Sequence, residues 1–168
     1  MTEIVRATSA EHFAQFQVLV DELMSWDSSM SAQIGLDVDV ILDFLYKQPG
    51  DIASEQAQVD VFLATHEGGL AGCGALKHFS KEAAELSRLY VRPAYRGRGI
   101  GNAILQVILA RARARGYKNV CLETAIFMTD AHALYRSLGF QATEPFRQVP
   151  EGLEAAELFM ELRLAEAI

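Results

Sequence analysis

The stretch LYVRPAYRGRGIG, residues 89–101, runs from an apolar, strand-like segment through a basic, glycine-dense loop into a long amphipathic helix. Glycine adopts positive φ without steric cost, so consecutive backbone N–H groups can converge on anionic oxygens. The first turn of the helix adds N–H groups without intrahelical partners and the positive end of the helix dipole. Arg96 and Arg98 bring positive charge to the same place. The stretch therefore predicts a site for a phosphorylated or pyrophosphorylated small molecule.

Two other phosphate-binding loops fit less well. A Walker-type loop is excluded because no Lys-Ser or Lys-Thr pair follows these glycines. A dinucleotide fingerprint needs Gly-x-Gly-x-x-Gly; Gly97 and Gly99 match it, but the third position is Asn102. Glu123, near the end of the next predicted strand, stands roughly where a ribose-binding acid is expected, so this alternative stays open. Against it, the polar residues 92–96 separate the strand from the glycines, whereas a dinucleotide turn follows its strand at once.

A third kind of loop fits both the glycines and their surroundings. The pattern R-x-x-G-x-G at residues 96–101, preceded by L-x-V-x-P at 89–93, resembles the acyl-CoA pyrophosphate loop of the GNAT superfamily of N-acetyltransferases. Downstream, AHALYRSLGF at residues 131–140 resembles the second signature of that superfamily, and it lies at the matching distance from the first. With the strand between them, the resemblance covers residues 84–140.

The resemblance implies an α+β GNAT fold, a mixed and mostly antiparallel sheet with a central βαβ acyl-CoA-binding unit flanked by helices. It implies direct acetyl transfer from acetyl-CoA to a primary amine of a small molecule or peptide, in a ternary complex. A non-catalytic acyl-CoA sensor or interaction module of the same fold is the alternative. The resemblance further implies that strand backbone pairs with the pantetheine amides. The implied cofactor-binding residues are Leu89, Val91, Arg96, Gly97, Arg98, Gly99, Ile100, Gly101, Asn102, Thr129 and Tyr135.

Three residues are the candidates for proton transfer. An alkylamine has a pKa near 10.4, so its neutral form at pH 7 costs roughly 4–5 kcal/mol, and a nearby carboxylate can take the proton. By resemblance, Glu85 holds the position used for this role in the histone-acetylating branch, and Glu123 on the adjacent strand is the second candidate. Tyr135 resembles the tyrosine whose hydroxyl lies near the sulfur of CoA, where it protonates or hydrogen-bonds the thiolate. Each acid can instead be a solvated or salt-bridged strand residue, and the tyrosine a packing residue.

The acceptor pocket is expected in the variable parts of the chain. Many superfamily members carry Asn where Thr129 stands, which puts one cofactor contact in doubt. The pocket candidates are residues 26–35, residues 47–56, Met128 and Phe146. Three acids near the first of these segments can attract a cationic amine or can simply be solvated; they are Asp27, Asp37 and Asp39.

Composition limits the remaining function classes. The chain has 168 residues, 51% hydrophobic and 22% charged, which predicts one folded domain over residues 1–168. The net charge of −7 argues against a nucleic-acid partner. Cys73 and Cys121 lie in apolar segments and are expected to be buried thiols. The histidines lack ligand spacing, so no metal is predicted, and the absence of a long apolar run predicts a cytoplasmic protein without a membrane partner. A homodimer is possible.

Periodicity and turn residues give the expected order of elements. Strands are predicted at residues 3–7, 59–65, 70–79, 85–91, 119–125, 140–143 and 157–164, with a hairpin turn at 67–69. Helices are predicted from a cap at Thr8 or Ser9 to about residue 24, at 38–47, at 99–115 and at 129–138, the last capped by Thr129 or Asp130. The serine-rich residues 25–35 are predicted as a loop, and 144–152 as another. A bulge between Leu86 and Leu89 is expected to restore the alternation of the fourth strand.

Overall fold

The computed structural model describes residues 1–46 and 59–165. Within them lies a seven-stranded sheet of order β1-β2-β3-β4-β5-β7-β6. Its neighbours pair antiparallel except for β4 and β5, which are parallel. The α+β prediction of a mostly antiparallel sheet with a central βαβ unit is therefore confirmed. The strands are β1 (Thr2–Arg6), β2 (Val59–His66), β3 (Gly69–His78), β4 (Ala83–Val91), β5 (Asn119–Ala125), β6 (Gln141–Ala142) and β7 (Glu157–Arg163), and the helices are α1 (Ala10–Gln33), α2 (Val38–Tyr46), α3 (Ile100–Ala114) and α4 (Thr129–Ser137).

Alternating residues of the strands bury against helices on opposite faces of the sheet. On β2, Phe62 packs in the cluster that contains α3, whereas Val61 and Leu63 pack in the cluster that contains α1. Helix α3 turns Ile104, Leu105, Ile108 and Leu109 inward, which is the stripe that its 3.6-residue period predicts. A third cluster joins Ile41 and Phe44 of α2 to Leu153 and Phe159.

The predicted bulge is present in β4. Cys73 of β3 faces Tyr90, and Ala75 faces Ser87, so the single residue Gly74 lies opposite Arg88 and Leu89. Arg88 takes a positive φ of 56°, an uncommon conformation for a residue with a side chain. The extra residue returns Leu89 and Val91 to the face on which Leu86 packs.

Strands β4 and β5 pair over only part of their length. Ala83, Ala84 and Glu85 pair with Asn119, Val120 and Cys121, and β4 then continues for six residues to Val91. Helix α3 connects the two strands, as the predicted crossover requires. The end of β4 is thereby directed towards the first turns of α3 and α4.

Two local predictions are wrong. The segment 25–35 is not a loop, because α1 continues to Gln33. The serines that suggested a loop are accommodated in the helix: Ser28 donates its hydroxyl hydrogen to the carbonyl of Met24 at 2.9 Å, and Ser31 is fully buried. Helix α4 begins at Thr129 with Met128 as its N-cap and no side-chain capping bond, so neither Thr129 nor Asp130 caps it.

Other local predictions are confirmed. Ser9 caps α1 by accepting a hydrogen bond from the backbone N–H of His12 at 3.1 Å. The hairpin between β2 and β3 turns at Glu67 and Gly68, both with positive φ. Cys73 and Cys121 are buried free thiols. Among the helices that the structure describes, none is both long and apolar enough to cross a membrane.

Candidate active site

A cleft of about 570 Å³ opens at the end of β4. One wall is strand β4 from Leu89 to Val91, and another is the glycine loop with the first turn of α3. Residues 127–131 and Leu134 close the cleft from the side of α4, and Leu23 and Trp26 close it from α1. The predicted cofactor residues that border this cleft are Leu89, Val91, Arg96, Gly97, Gly99, Ile100, Gly101, Asn102 and Thr129.

The glycine loop presents backbone N–H groups to the cleft. Gly97 and Gly99 both have φ of 75°, and Gly99 is the N-cap of α3. The bond from the N–H of Ala103 to the carbonyl of Gly99, at 3.0 Å, begins the helical series, so the N–H groups before it have no intrahelical acceptor. A Cβ atom at Gly97 or Gly99 would meet no described atom within 4 Å, which leaves open space in front of the loop. This geometry fits an anionic group such as a pyrophosphate.

Arg96 lies against the end of β4. Its Nε donates a hydrogen bond to the carbonyl of Val91 at 2.9 Å, and its guanidinium carbon lies 6.0 Å from the centre of the Tyr90 ring. The carbonyl that the resemblance assigns to pantetheine pairing therefore already has a donor. For Val91 to accept a bond from a ligand, Arg96 must move or share that oxygen.

Two predicted cofactor-binding residues do not border the cleft, and the candidate bases Glu85 and Glu123 line a separate, smaller cavity. Arg98 is exposed to solvent. Tyr135 is buried in the core beside Phe140, with ring centres 5.7 Å apart, and burial raises the pKa of its phenol. The neighbouring Leu134 does reach the cleft, and its Cδ2 would lie 3.3 Å from a Cβ at Gly101.

Charged residues occupy the sheet face that lies opposite α3. Lys77 of β3 is the register partner of Glu85 on β4, and Glu85 is the register partner of Cys121 on β5. Glu123 lies two residues further along β5, and on β7 the residue Glu157 pairs with Ala125. The two catalytic candidates Glu85 and Glu123 are thus brought together on neighbouring strands, as predicted.

Arg147, from the loop between β6 and β7, bridges the two candidate acids. Its Nη2 and Nη1 donate to the two carboxylate oxygens of Glu85 at 2.6 and 3.0 Å, and Nη1 also donates to Oε1 of Glu123 at 2.5 Å. The side chains are 5%, 7% and 16% exposed for Glu85, Glu123 and Arg147. Lys77 Nζ adds a longer contact of 3.9 Å to Glu85. A polar cavity of about 50 Å³ adjoins this ion pair network.

Glu85 has a hydrogen-bond donor for each of its carboxylate oxygens, but three other buried carboxyl groups do not. Each of them has at least one oxygen without a donor among the described residues. We call Asp27, Glu123 and Glu157 the acidic triad. The atoms without a partner are Oδ1 of Asp27, Oε2 of Glu123 and both carboxylate oxygens of Glu157. The other oxygen of Asp27 accepts a hydrogen bond from the hydroxyl of Tyr46.

Burial raises the pKa of every member of the acidic triad. It raises the pKa of Glu123 to about 6, although the charge of Arg147 opposes the shift. The pKa of Asp27 is also raised to about 6 by burial, against the hydrogen bond from Tyr46 and the charge of Arg88. The pKa of Glu157 rises to about 8, first through burial and then through the charges of Glu123 and Asp27.

Several residues of this site could not be identified from the sequence. Arg147, Glu157 and Lys77 carry no motif. The only signal for Lys77 is a charged residue near the end of an otherwise apolar strand, and Glu157 begins a strand that also holds Glu161 and Arg163, so nothing in the sequence marks it. The pocket candidates Trp26 and Met128 do border the cleft. Phe146 packs instead between Phe79 and Phe159, with ring centres at 5.1 and 4.9 Å.

Other predictions lie at the edges of the site or outside it. The pocket candidates at residues 47–56 fall in the segment outside the described residues. Asp37 caps α2 through the N–H of Val40, and Asp39 is exposed, so neither belongs to the acidic triad. In the described part of the chain, no three His, Cys, Asp or Glu residues are placed to hold a metal ion.

Comparison with known proteins adds an independent observation. A sequence model described as an acetyltransferase (GNAT) domain matches residues 57–142, about half of the chain. The uncharacterized N-acetyltransferase YjgM of Escherichia coli is 31% identical over 125 residues, which cover 70% of each protein. An IAA acetyltransferase of Azospirillum brasilense is 37% identical over 100 residues, 59% of this chain. That alignment spans 64% of the Azospirillum protein, just under two thirds of its length.

Solved structures agree on the architecture. A Klebsiella pneumoniae protein proposed to be an acyl-CoA N-acyltransferase superimposes with a TM-score of 0.69 and 28% identity, over 98% of this chain and 99% of the other. A GNAT family acetyltransferase of Elizabethkingia anophelis, solved with acetyl-CoA bound, gives a TM-score of 0.62 at 18% identity, over 97% and 98% of the two chains. At the latter identity the likeness concerns the fold alone.

Proposed function

Because this chain belongs to the GNAT acetyltransferase family, we propose that it transfers the acetyl group of acetyl-CoA to a primary amine of a small molecule or peptide. The transfer is direct and takes place in a ternary complex, with one domain over residues 1–168 supplying the site. No metal ion takes part.

One observation carries this proposal. The cleft of about 570 Å³ runs from the positive-φ glycines of the loop to the bulged strand at Leu89, where β4 has left β5. Such a shape fits an extended ligand with an anionic group at one end and a chain that hydrogen-bonds to strand backbone along its length. Acetyl-CoA has that layout, with its pyrophosphate followed by the amides of pantetheine.

The cofactor-binding residues divide into two groups. The N–H groups from Gly97 to Asn102 receive the pyrophosphate, with Arg98 adding charge from the exposed side. Backbone groups of Leu89 and Val91 receive the pantetheine amides. Arg96 then exchanges its bond with the Val91 carbonyl for a phosphate oxygen. Thr129 borders the cleft at the start of α4 and offers its hydroxyl.

The acceptor loses two protons as the new C–N bond forms and the C–S bond breaks. Glu85 and Glu123 are the groups proposed to take them, directly or through water. Glu123 is the better placed of the two, since its Oε2 lacks a donor among the described residues, whereas both oxygens of Glu85 accept bonds from Arg147. Tyr135 stays protonated because burial raises its pKa, and it is proposed to donate a hydrogen bond to the departing sulfur. One of the two protons lost by the acceptor completes the CoA thiol, and the other leaves to solvent. Because Tyr135 does not border the cleft, its side chain must turn towards it to reach the sulfur.

A non-catalytic acyl-CoA sensor of the same fold is the second candidate. The buried acids favour the enzyme. The Glu85 and Glu123 side chains are 5% and 7% exposed, and a protein that only binds an acyl-CoA has no need of buried carboxylates on this sheet face. A sensor would bind acetyl-CoA and would release no thiol with any amine.

The formation of a homodimer by this chain stays a prediction.

Calorimetric titration with acetyl-CoA tests the proposal, with NADH and ATP as controls on the same protein. Micromolar binding of acetyl-CoA alone is the expected result, followed by amine-dependent release of CoA thiol. Binding of NADH without acetyl-CoA would restore the dinucleotide alternative. A folded protein that binds acetyl-CoA but acetylates no amine across a broad panel would favour the sensor.

A further inference from the structure

The acidic triad offers acceptor atoms that the protein itself does not use. Asp27 is 1% exposed and the Glu123 side chain 7% exposed, yet each keeps one carboxylate oxygen without a donor among the described residues. Glu157 keeps two. Ser31, one turn after Asp27 on α1, is fully buried and its hydroxyl also lacks a partner in this part of the chain. Native proteins seldom leave so many buried polar atoms unpaired, so a missing hydrogen-bond donor is indicated.

The nearby cations do not supply that donor. Arg147 donates hydrogen bonds to both oxygens of Glu85 and to Oε1 of Glu123, but none to Oε2 of Glu123. Lys77 approaches Glu85 at 3.9 Å. Arg88 donates to the carbonyl of Leu45 at 2.9 Å and covers the ring of Tyr46 at 4.4 Å.

Two members of the acidic triad are neighbours, along the chain or across the sheet, of residues near the cleft lining. Asp27 follows Trp26, which borders the cleft from α1. Glu157 is the register partner of Ala125, two residues before Phe127, which borders the cleft from the other side. The rings of Trp26 and Phe127 meet edge to face at 5.4 Å, so the two walls of the cleft touch at these residues.

We propose that the acidic triad binds the ammonium group of the acceptor, and that the acceptor is an alkylamine without a carboxylate beside its amino group. A primary ammonium has three N–H donors, and Asp27, Glu123 and Glu157 offer unpaired oxygens to them. An α-amino acid would bring its own carboxylate against three acids in a buried site, where like charges repel strongly. The inference rests on the proposed function for its reaction, but it concerns only the binding of the acceptor.

The charges around Glu157 favour the binding of a cation. The groups that act on it are Glu123 from β5 and Asp27 from α1, both acids, and burial adds to their effect to raise its pKa to about 8. Arg147 acts on Glu123, and Tyr46 and Arg88 act on Asp27. A bound ammonium would reverse these shifts by pairing with the ionised carboxylates.

Two matched probes test the inference. They are n-butylamine and norvaline, which is n-butylamine with a carboxylate on the carbon that bears the amino group. Binding of each to the whole protein is measured by ligand-observed NMR without acetyl-CoA, and acetylation is measured separately by thiol release. The variants are Glu157→Gln and Asp27→Asn, which remove charge at nearly constant shape. Glu161→Gln, at an exposed position near the end of β7, is the matched control for charge.

The expected result is that n-butylamine binds at least about tenfold more tightly than norvaline, and that either triad variant weakens n-butylamine by a similar factor. Glu161→Gln leaves that binding unchanged, and all variants bind acetyl-CoA like the parent. Equal binding of the two probes, or triad variants that bind n-butylamine as the parent does, overturns the inference. Failure to bind acetyl-CoA would instead overturn the proposed function, and the amine measurements would still stand. If Asp27→Asn unfolds through loss of the Tyr46 contact, Glu157→Gln decides.

Discussion

The guanidinium of Arg147 holds the carboxylate of Glu85 through two hydrogen bonds of 2.6 and 3.0 Å, in a setting where the acid is 5% exposed. The two residues are 62 positions apart, and Arg147 lies on a loop rather than on the sheet. Breaking a buried pair by removing one partner is costly because the remaining charge stays buried. The pair therefore fixes the loop between β6 and β7 against the strands that carry both candidate bases.

Replacing Arg147 should reveal how much free energy it costs to leave Glu85 buried without its counterion. We expect Arg147→Gln to lower the free energy of unfolding by about 3 kcal/mol, because Glu85 and Glu123 lose their main counterion while Lys77 stays at a distance. The double variant with Glu85→Gln should recover part of the loss. Chemical denaturation measures both. A loss no larger than that of Arg163→Gln, on the exposed end of β7, would mean that the pair contributes little.

The two glycines that flank α3 allow the effect of a substitution on ligand binding to be distinguished from its effect on backbone strain. Gly99 and Gly116 have φ of 75° and 82°, and at neither would an added Cβ meet a described atom within 4 Å. Alanine at either position should therefore cost about 1 kcal/mol through its positive φ alone. Only Gly99 borders the cleft, so we expect Gly99→Ala to weaken acetyl-CoA binding at least about tenfold and Gly116→Ala to leave it unchanged. Calorimetry and thermal unfolding of both variants check this, and equal affinities would contradict it.

The candidate bases should affect turnover more than cofactor binding. Glu85→Gln and Glu123→Gln each keep an oxygen that can accept from Arg147 but lose the ability to take a proton. We expect either change to lower kcat by about a hundredfold or more, with the acetyl-CoA affinity changed less than threefold. Steady-state kinetics over a full pH range, beside calorimetry, distinguish the two effects. Unchanged turnover in one variant would remove that residue from the reaction.

A variant of Tyr135 tests whether its buried phenol stabilises the departing sulfur of CoA. We expect Tyr135→Phe to lower kcat by about tenfold or more while the KM for acetyl-CoA stays constant, since only the hydroxyl is lost. Tyr117→Phe is the matched control, because Tyr117 is also a buried phenol and hydrogen-bonds His78 at 2.8 Å, away from the cleft. Equal kcat values in both variants would leave Tyr135 as a packing residue beside Phe140.

The predictable parts of this protein are those in which one stretch of sequence determines one local geometry. The strand, glycine loop and helix of residues 89–115 are of this kind, as is the bulge, because the spacing of Leu86, Leu89 and Val91 cannot alternate without an extra residue. The C-terminal part of α1 was missed because serine and aspartate favour loops in isolation. In the fold, burial of Asp27 and Ser31 against neighbouring elements overrides that preference.

The site was predictable only where a motif marks it. Glu85 and Glu123 follow from the resemblance and do lie together, but Arg147, Lys77 and Glu157 come from separate elements and meet through tertiary packing. No short pattern encodes such a meeting. The one available signal is energetic: a charge inside an apolar strand costs free energy unless a partner or a ligand compensates it.

The carboxyl of Glu157 should make stability depend on pH. Burial raises its pKa from about 4.5 to about 8, so between these values the folded protein binds a proton that the unfolded chain has lost. Stability from this group is then complete below pH 4.5, is lost as the pH rises from 4.5 through about 8, and changes no further above that. We expect Glu157→Gln, which stays neutral, to gain roughly 3–4 kcal/mol on the parent as the pH rises from 5 to 8, a rise of roughly 7–14 °C in relative Tm. Thermal unfolding at several pH values measures it, with Glu161→Gln as the control. Parallel Tm curves for Glu157→Gln and the parent would show that Glu157 is ionised throughout and that its pKa is not raised by burial.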